Sequence, residues 1–207
     1  MKNILVTLAL VLTCSMVLAI DFQVCGGVDL GTIVDSDGFL GNDALVFGAK
    51  YQPGFNLSLQ SLANSNNILY GVGADYQFER KHKKLPEGWT TSLEYLSFVP
   101  VYAVLGYRFP VTSGPVPEFY CQAGYSLALI EDAKDEDIFE TEEYEYSGGG
   151  YYAFGFGLDF QNFLVQALFR YNTLRYKETE FQNGLLVDKR ENDMTCRHFT
   201  IQLGKRF

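Results

Sequence analysis

Cations, histidine and tryptophan are scarce in this sequence, and each shortage excludes something. Lys and Arg number 16 against 25 Asp and Glu, a net charge of −9 with a pI near 4.7. A nucleic-acid binder needs a clustered basic face to neutralise phosphates, so that class is set aside. Two histidines and 4 cysteines offer no plausible Cys/His metal spacing. Beyond the N-terminal segment no apolar run reaches the roughly 18 residues that a membrane-crossing helix needs, and mean hydropathy is −0.02. Stripes of period 3.6 are almost absent, which removes amphipathic helices as the building unit. What is plentiful is glycine (20), phenylalanine (17) and tyrosine (14) in a 207-residue chain that is 47% apolar. That supports one domain with a real core and excludes disordered or disulfide-scaffold classes.

The first segment reads as an export signal. Lys2 supplies the charge, Ile4 to Thr13 the apolar stretch, and Val17-Leu18-Ala19 the small-residue cleavage site. The expected division is therefore a signal peptide at 1–19 and a single β domain at 20–207. A lipid-modified Cys14 is the competing reading, weakened by Thr13 where such signals use Gly, Ala or Ser. Export leaves Cys25, Cys121 and Cys196, an odd number that completes no disulfide framework; each is expected to act as a small apolar residue.

From Ile20 onward apolar and polar residues alternate with period two in blocks of about ten, separated by turn signals. In the clearest block Tyr152, Phe154, Phe156, Leu158 and Phe160 share one face and Ala153, Gly155, Gly157 and Asp159 the other. Gln161-Asn162 then reads as a two-residue hairpin, and if Phe160 pairs with Phe163 the apolar faces of both strands coincide. The same test places strands at Phe22–Leu30, Leu45–Tyr51, Ile68–Phe78, Val99–Phe109, Phe119–Leu129 and Phe199–Phe207, eight in all. The polar face carries glycine, small residues and isolated ionisable groups, while the other is rich in Phe and Tyr, many near strand ends. A soluble sandwich would show Lys, Glu and Thr outside; this pattern instead suits an all-β, eight-stranded antiparallel up-and-down transmembrane β-barrel with lipid on its apolar face. Loops at about 34–43, 80–92, 131–147 and 177–194 are expected outside, with compact turns at Pro110–Pro117 and Gln161-Asn162. The stretch 53–67 reads as an anomalously long turn.

The alternation sends Asp29, Lys50, Asp75, Glu79, Glu94, Arg108, Glu118, Asp159, Arg170, His198 and Arg206 toward the lumen, where charges must pair or stay hydrated. Arg108 and Arg170 are expected to pair with Asp75 and Asp159 at mid-depth. Outside, Arg80, Lys81, His82, Lys83 and Lys84 form a basic run whose cations suit the phosphates of lipid A. Glu131, Asp132, Asp135, Glu136, Asp137, Glu140, Glu142, Glu143 and Glu145 form an acidic loop suited to divalent cations or a basic partner. Asn183-Gly184 signals a hairpin that lifts the last two strands above the membrane as a ribbon; its pairing sets Phe169 against His198 unless one bulge intervenes.

The stretches SFVPVYAVLGYRF at Ser97–Phe109, PEFYCQAGYSLAL at Pro117–Leu129 and the closing HFTIQLGKRF at His198–Phe207 resemble the small OmpA-like or porin-like outer-membrane β-barrels. The resemblance covers about Asp21 to Phe207. It implies a bacterial outer-membrane address and a last strand, marked by Phe199, Ile201, Leu203 and Phe207, that the barrel assembly machinery reads. Lys205 departs from the usual aromatic. No cell-wall-binding domain follows Phe207 in this sequence, so no such tether is expected. A nucleophile, base and orienting group are not found together, because His82 sits in the basic run and His198 points inward; no enzymatic activity and no cofactor are expected. The leading expectation is a monomeric barrel with a side-chain-filled polar lumen in a structural or surface-interaction role, in contact with outer-membrane lipid and lipopolysaccharide. The alternatives are a small porin or channel for ions or small solutes, and a secreted soluble lipocalin-like barrel binding an apolar ligand.

Overall fold

The structure is a computed structural model in which residues 21–36, 49–83, 95–130, 133–136, 140–161, 163–183 and 185–207 are described. The expected signal peptide, Cys14, Lys84, Glu94, Glu131, Asp132 and Asp137 lie outside the described residues. The strands are β1 (Asp21–Ser36), β2 (Ala49–Lys50), β3 (Gly54–Ser65), β4 (Ile68–Lys81), β5 (Tyr95–Arg108), β6 (Val116–Ala128), β7 (Ala133–Glu136), β8 (Glu140–Asp159), β9 (Leu164–Gln182) and β10 (Leu185–Arg206). Eight of them form one antiparallel ring in the order β1-β3-β4-β5-β6-β8-β9-β10, closed by β10 pairing with β1. The seam is completed by reciprocal Phe22–Phe207 backbone hydrogen bonds of 3.1 and 2.7 Å. The short β2 and β7 extend the walls beside β1 and β8.

Stagger sets the barrel's tilt. Followed across the ladders, Gln23 leads through Gln60, Gly73, Tyr102, Gly124, Tyr151, Asn172 and Cys196 back to β1 at Val34, eleven positions further along. One end is built from short turns. Asn66 and Asn67 adopt φ values of 51° and 68°, the left-handed pair a two-residue hairpin requires. Phe160 donates its amide to Phe163 at 2.8 Å, and their rings stack at 4.5 Å, as the alternation implied.

Two expectations are corrected here. The strand between β1 and β4 in the ring is Gly54–Ser65; of the expected Leu45–Tyr51, residues 45–48 lie outside the described residues and Ala49–Lys50 form the short β2, so the supposed long turn at 53–67 is a strand ending in the Asn66-Asn67 hairpin. Its inward Asn56, Ser58 and Gln60 carry no charge, and its outward Phe55, Leu57 and Leu59 are exposed. Of the expected external loops, the described parts of 131–147 and 177–194 are also largely strand: β8, β9 and β10 run through most of 140–193 as an antiparallel extension. At its end Gln182 pairs with Leu185, a register shift follows between Leu186 and Asp188, and Phe169 therefore faces Phe199, not His198. The extra residue restores the alternation.

Outward residues such as Phe78, Leu105, Phe156 and Leu203 are exposed, while Gln23, Asp29, Asp75, Glu118 and Arg170 are buried within the ring. A water-soluble protein distributes these residue types the other way round. The inner glycines make room for rings: a Cβ at Gly73 would lie 2.6 Å from the Tyr102 ring, and one at Gly157 would lie 2.9 Å from that of Tyr120. The lumen is less polar than the sequence suggested. Leu62, Leu69, Tyr102, Val104, Tyr120, Tyr151, Ala153 and Leu168 pack together inside the wall, and Val34, Tyr51, Leu96, Phe98, Leu174, Tyr176, Met194 and Cys196 form a second apolar cluster toward the end that carries the extension.

Candidate functional site

Two β-bulges assemble the centre of the lumen. In β1 the ladder slips between Leu30 and Ile33, where Gly31 takes φ 61°, so both Asp29 and Thr32 face inward. In β4 it slips between Gln77 and Arg80, which turns Arg80 inward and leaves Glu79 exposed. Arg80 then reaches both products of the β1 bulge, with Nη2 2.7 Å from Asp29 Oδ2 and Nη1 donating to Thr32 Oγ1 at 3.0 Å. Gly54 clears the way, since a Cβ there would lie 3.0 Å from Arg80 Nε.

Asp29 is the hub. Its Oδ1 accepts from Asn56 Nδ2 at 2.7 Å and Thr200 Oγ1 at 2.6 Å, with His198 Nε2 at 3.6 Å and Arg170 Nη1 at 4.0 Å. Arg170 Nη2 lies 2.7 Å from Asp75 Oδ2, and Tyr102 donates its hydroxyl to Asp75 Oδ1 at 2.6 Å. The four charged side chains Asp29, Asp75, Arg80 and Arg170 all have 0% side-chain exposure and sum to zero charge.

A second neutral set lies at the short-turn end. Arg206 Nη1 is 2.8 Å from Glu118 Oε1 and 3.1 Å from Asp159 Oδ2, and its Nη2 donates to Gln23 Oε1 at 2.8 Å. Arg108 meets Glu118 at 3.0 Å and Asp159 at 2.9 Å, and Tyr120 donates to Glu118. Here Arg108 keeps 21% and Asp159 11% side-chain exposure, so water reaches the set. Between the two lie Gln23, Gln60, Gln166 and Cys25 in weak mutual contacts of 3.3 to 3.7 Å.

Of the expected lumen residues, Asp29, Asp75, Arg170 and His198 meet at mid-lumen, and Arg108, Glu118, Asp159 and Arg206 at the rim. Arg170 pairs with Asp75 and Arg108 with Asp159, but the second pair sits at the barrel end and not at mid-depth. Three placements are corrected: Glu79, which the β4 bulge leaves exposed and not in the lumen, Lys50 and Arg80. Lys50 is exposed on β2 and does not face the lumen, because its neighbour Tyr51 is the residue buried inward and successive side chains alternate. Arg80 is not an external cation: the β4 bulge buries it, so it cannot touch outer-leaflet phosphate. Arg80 was missed because straight period-two counting through 75, 77 and 79 skips the extra residue.

Lys81 and Lys83 are exposed, with Lys81 Nζ 5.1 Å above the Tyr95 ring. Among the acidic residues, Asp135 and Glu136 lie on β7 and Glu140, Glu142, Glu143 and Glu145 on β8. Lys177 pairs with Glu145 across the β8–β9 ladder, and this hydrogen bond holds the Glu145 carboxyl below its usual range. Among the described residues no group of three or more His, Cys, Asp or Glu is placed to hold a metal ion. Phe199, Ile201, Leu203 and Phe207 line the outer face of β10, and Lys205 lies 4.9 Å over the Phe207 ring. Cys25 and Cys196 are buried, Cys121 is exposed on the outer face, and none of the three forms a disulfide.

A closed ring with an apolar outside, buried charge inside and short turns at one end defines a transmembrane β-barrel. Residues 5–207 match the outer membrane protein beta-barrel domain, and the chain belongs to that family of bacterial outer-membrane proteins. Among solved structures it is similar to the outer membrane protein OprG from Pseudomonas aeruginosa, at 16% identity over 90% of this chain and 95% of that one, TM-score 0.52. It is also similar to the outer membrane protein AlkL, at 14% identity over 90% of each chain, TM-score 0.51. A third is Neisserial surface protein A, at 15% identity over 90% of this chain and 97% of that one, TM-score 0.49. No curated protein matches the chain in sequence.

Proposed function

We propose that this protein is a non-conducting, non-enzymatic outer-membrane barrel whose activity lies at the cell surface, on the sheet that β8, β9 and β10 carry beyond the barrel. The observation behind this reading is the sequence of barriers in the lumen. An ion entering from outside meets the apolar Val34, Leu96, Phe98, Leu174 and Met194 cluster, then the buried Asp29–Arg80–Arg170–Asp75 set. From the other end it meets Arg206 braced between Glu118 and Asp159. Each charge is held by a partner and none is free to escort a passing solute. His198 is buried against Asp29 and His82 packs edge-on against Tyr51 at 5.2 Å, which leaves neither poised as a general base at a surface.

Liposome swelling with the purified protein tests the reading. Vesicles are expected to show no swelling in mono- or disaccharide, and swelling at the rate of an open porin overturns it. A narrow aqueous path is the second reading. It is favoured by Gln122 Nε2, Gln166 Nε2 and both ring nitrogens of His198, which are buried without a hydrogen-bond partner among the described residues and so call for water. Small cation-selective conductance steps without sugar permeation would favour that path over a sealed lumen.

A further inference from the structure

The corrected positions of Lys50 and Arg80 change what the basic run can do. Tyr51 and His82 form an antiparallel bridge and their rings meet edge-on, so both project to the same side. In that bridge Lys83 donates its amide to the Lys50 carbonyl at 2.9 Å and Gln52 donates to the Lys81 carbonyl at 2.9 Å. Lys50 therefore stands directly opposite Lys83, and Gln52 opposite Lys81. Successive side chains alternate, so these four share the face opposite the Tyr51 and His82 rings. Tyr51 is buried in the lumen, and Lys50, Gln52, Lys81 and Lys83 are exposed. Three ammonium groups thus crowd one outward patch, drawn from β2 and from β4 with the residues just after it.

Like charges directly across a ladder destabilise it. The patch also has a defined depth. On β4 it follows the lipid-facing Tyr76 and Phe78, and Lys81 lies over the ring of Tyr95. Aromatic side chains of this kind mark the membrane interface. On β4 itself, Glu79 is exposed two positions before Lys81.

We infer that Lys50, Lys81 and Lys83, with the Gln52 amide, form a seat for the phosphate of a bis-phosphorylated glycolipid of the outer leaflet, its acyl chains lying on Tyr76, Phe78 and Tyr95. A multiply charged phosphate relieves the Lys50–Lys83 repulsion and accepts several charge-assisted hydrogen bonds at once. The aromatic band below supplies the apolar contact that a free phosphate lacks. The inference stands apart from the question of conduction, since the patch is on the outer wall.

The test uses the full barrel in micelles, with binding followed by native mass spectrometry. The probes are diphosphoryl lipid A, its dephosphorylated form and inorganic phosphate. The variant is Lys50→Gln/Lys81→Gln/Lys83→Gln, and the control Arg175→Gln/Lys177→Gln/Lys189→Gln removes three cations from the β9–β10 extension. Heat-modifiable gel migration verifies that each is folded. The patch variant is expected to lose at least tenfold in affinity for the diphosphoryl lipid, the control less than twofold, and wild type to bind the dephosphorylated lipid as weakly as the patch variant does. Equal loss in both variants, or wild-type binding indifferent to dephosphorylation, overturns the seat. Displacement of the lipid by millimolar inorganic phosphate also overturns it, because the site would then be a simple anion site.

Discussion

The lumen and the external sheet are both rich in charge, yet they use it differently. Inside, Asp29, Asp75, Arg80 and Arg170 form a neutral set with no solvent exposure, and every carboxylate has a cation within 2.7 Å. On the sheet, Arg175 reaches Glu191 at 3.2 Å and Asp193 at 3.4 Å with more than half of each side chain exposed, and Glu142 stands opposite Glu180 in the ladder. A sealed charge without a partner pays its full desolvation cost, so inside the barrel the arrangement must close. On the sheet water and salt screen each pair, so unbalanced acids persist at little cost. The rim set of Arg108, Glu118, Asp159 and Arg206 lies between these limits, neutral but wetted.

The sharpest break of this comparison is Arg170→Met. It strands Asp75 beside only the Tyr102 hydroxyl and removes one of the cations near Asp29. A loss of about 3–5 kcal/mol is expected, as for other broken buried pairs, read from urea unfolding in micelles. The double variant Arg170→Met/Asp75→Asn is expected to recover much of it. If the single variant is as stable as wild type, the mid-lumen set is not what holds the barrel together.

Glu118→Gln probes the intermediate case. It takes one carboxylate from between Arg108 and Arg206 but leaves Asp159 within 3.1 Å of both. With water at hand the expected loss is about 1–3 kcal/mol, that of a hydrogen bond to a charged group. A loss equal to that of Arg170→Met would mean that the rim is as dry as the centre.

How far these regions were legible in the sequence follows from the same physics. Strands with clean alternation announced themselves: Tyr152 to Phe160 and its partner were placed in register by Phe160 and Phe163, and the slip near the Asn183 hairpin was forced because Phe169 could not face His198. The wall strand β3 was missed because its inward residues are Asn56, Ser58 and Gln60 and it is bracketed by Pro53 and Asn66-Asn67, a composition that reads as turn. The mid-lumen site was half legible for a different reason. Asp29, Asp75 and Arg170 obey straight parity, whereas Arg80 reaches Asp29 only through an extra residue, and a bulge on β4 leaves no mark in composition. The inner apolar clusters were overlooked because Leu62, Leu69 and Leu168 look like any barrel residue until the wall's inner face is traced.

Removing the tip of the extension separates the two regions. Replacing 178–190 by an Asn-Gly turn keeps Lys177 opposite Glu191 and leaves Tyr176 on the apolar cluster. The barrel is expected to lose no more than about 1 kcal/mol, because the described positions removed are exposed or half-buried and none belongs to the apolar clusters of the lumen, although the Tyr176–Glu178 hydrogen bond and the pairing of 178–182 with β8 go with them. A larger loss in urea unfolding would make the extension part of the barrel's own core.

The smallest effect belongs to Glu145 and Lys177. The Lys177 ammonium donates to the Glu145 carboxylate and lowers its pKa below the usual 4.5. A carboxylate with a depressed folded pKa contributes stability above its unfolded pKa and loses it as pH falls through the folded one. Between pH 7 and about pH 5 the pair should therefore contribute a constant amount, and the contribution should fade below pH 4.5. Because the Glu145 side chain is exposed, the effect is local and disappears in high salt. Hydrogen exchange of the β8–β9 amides above the barrel is the measurement. In low salt, opening at residues 143–147 should become more frequent as pH drops below that value, after correction for intrinsic exchange rates. Lys177→Gln should abolish this acid dependence while leaving protection of the mid-barrel amides around Arg170 unchanged. An identical profile in wild type and Lys177→Gln would show that even the best-paired acid on the sheet is indifferent to its partner, which would widen the contrast with the lumen.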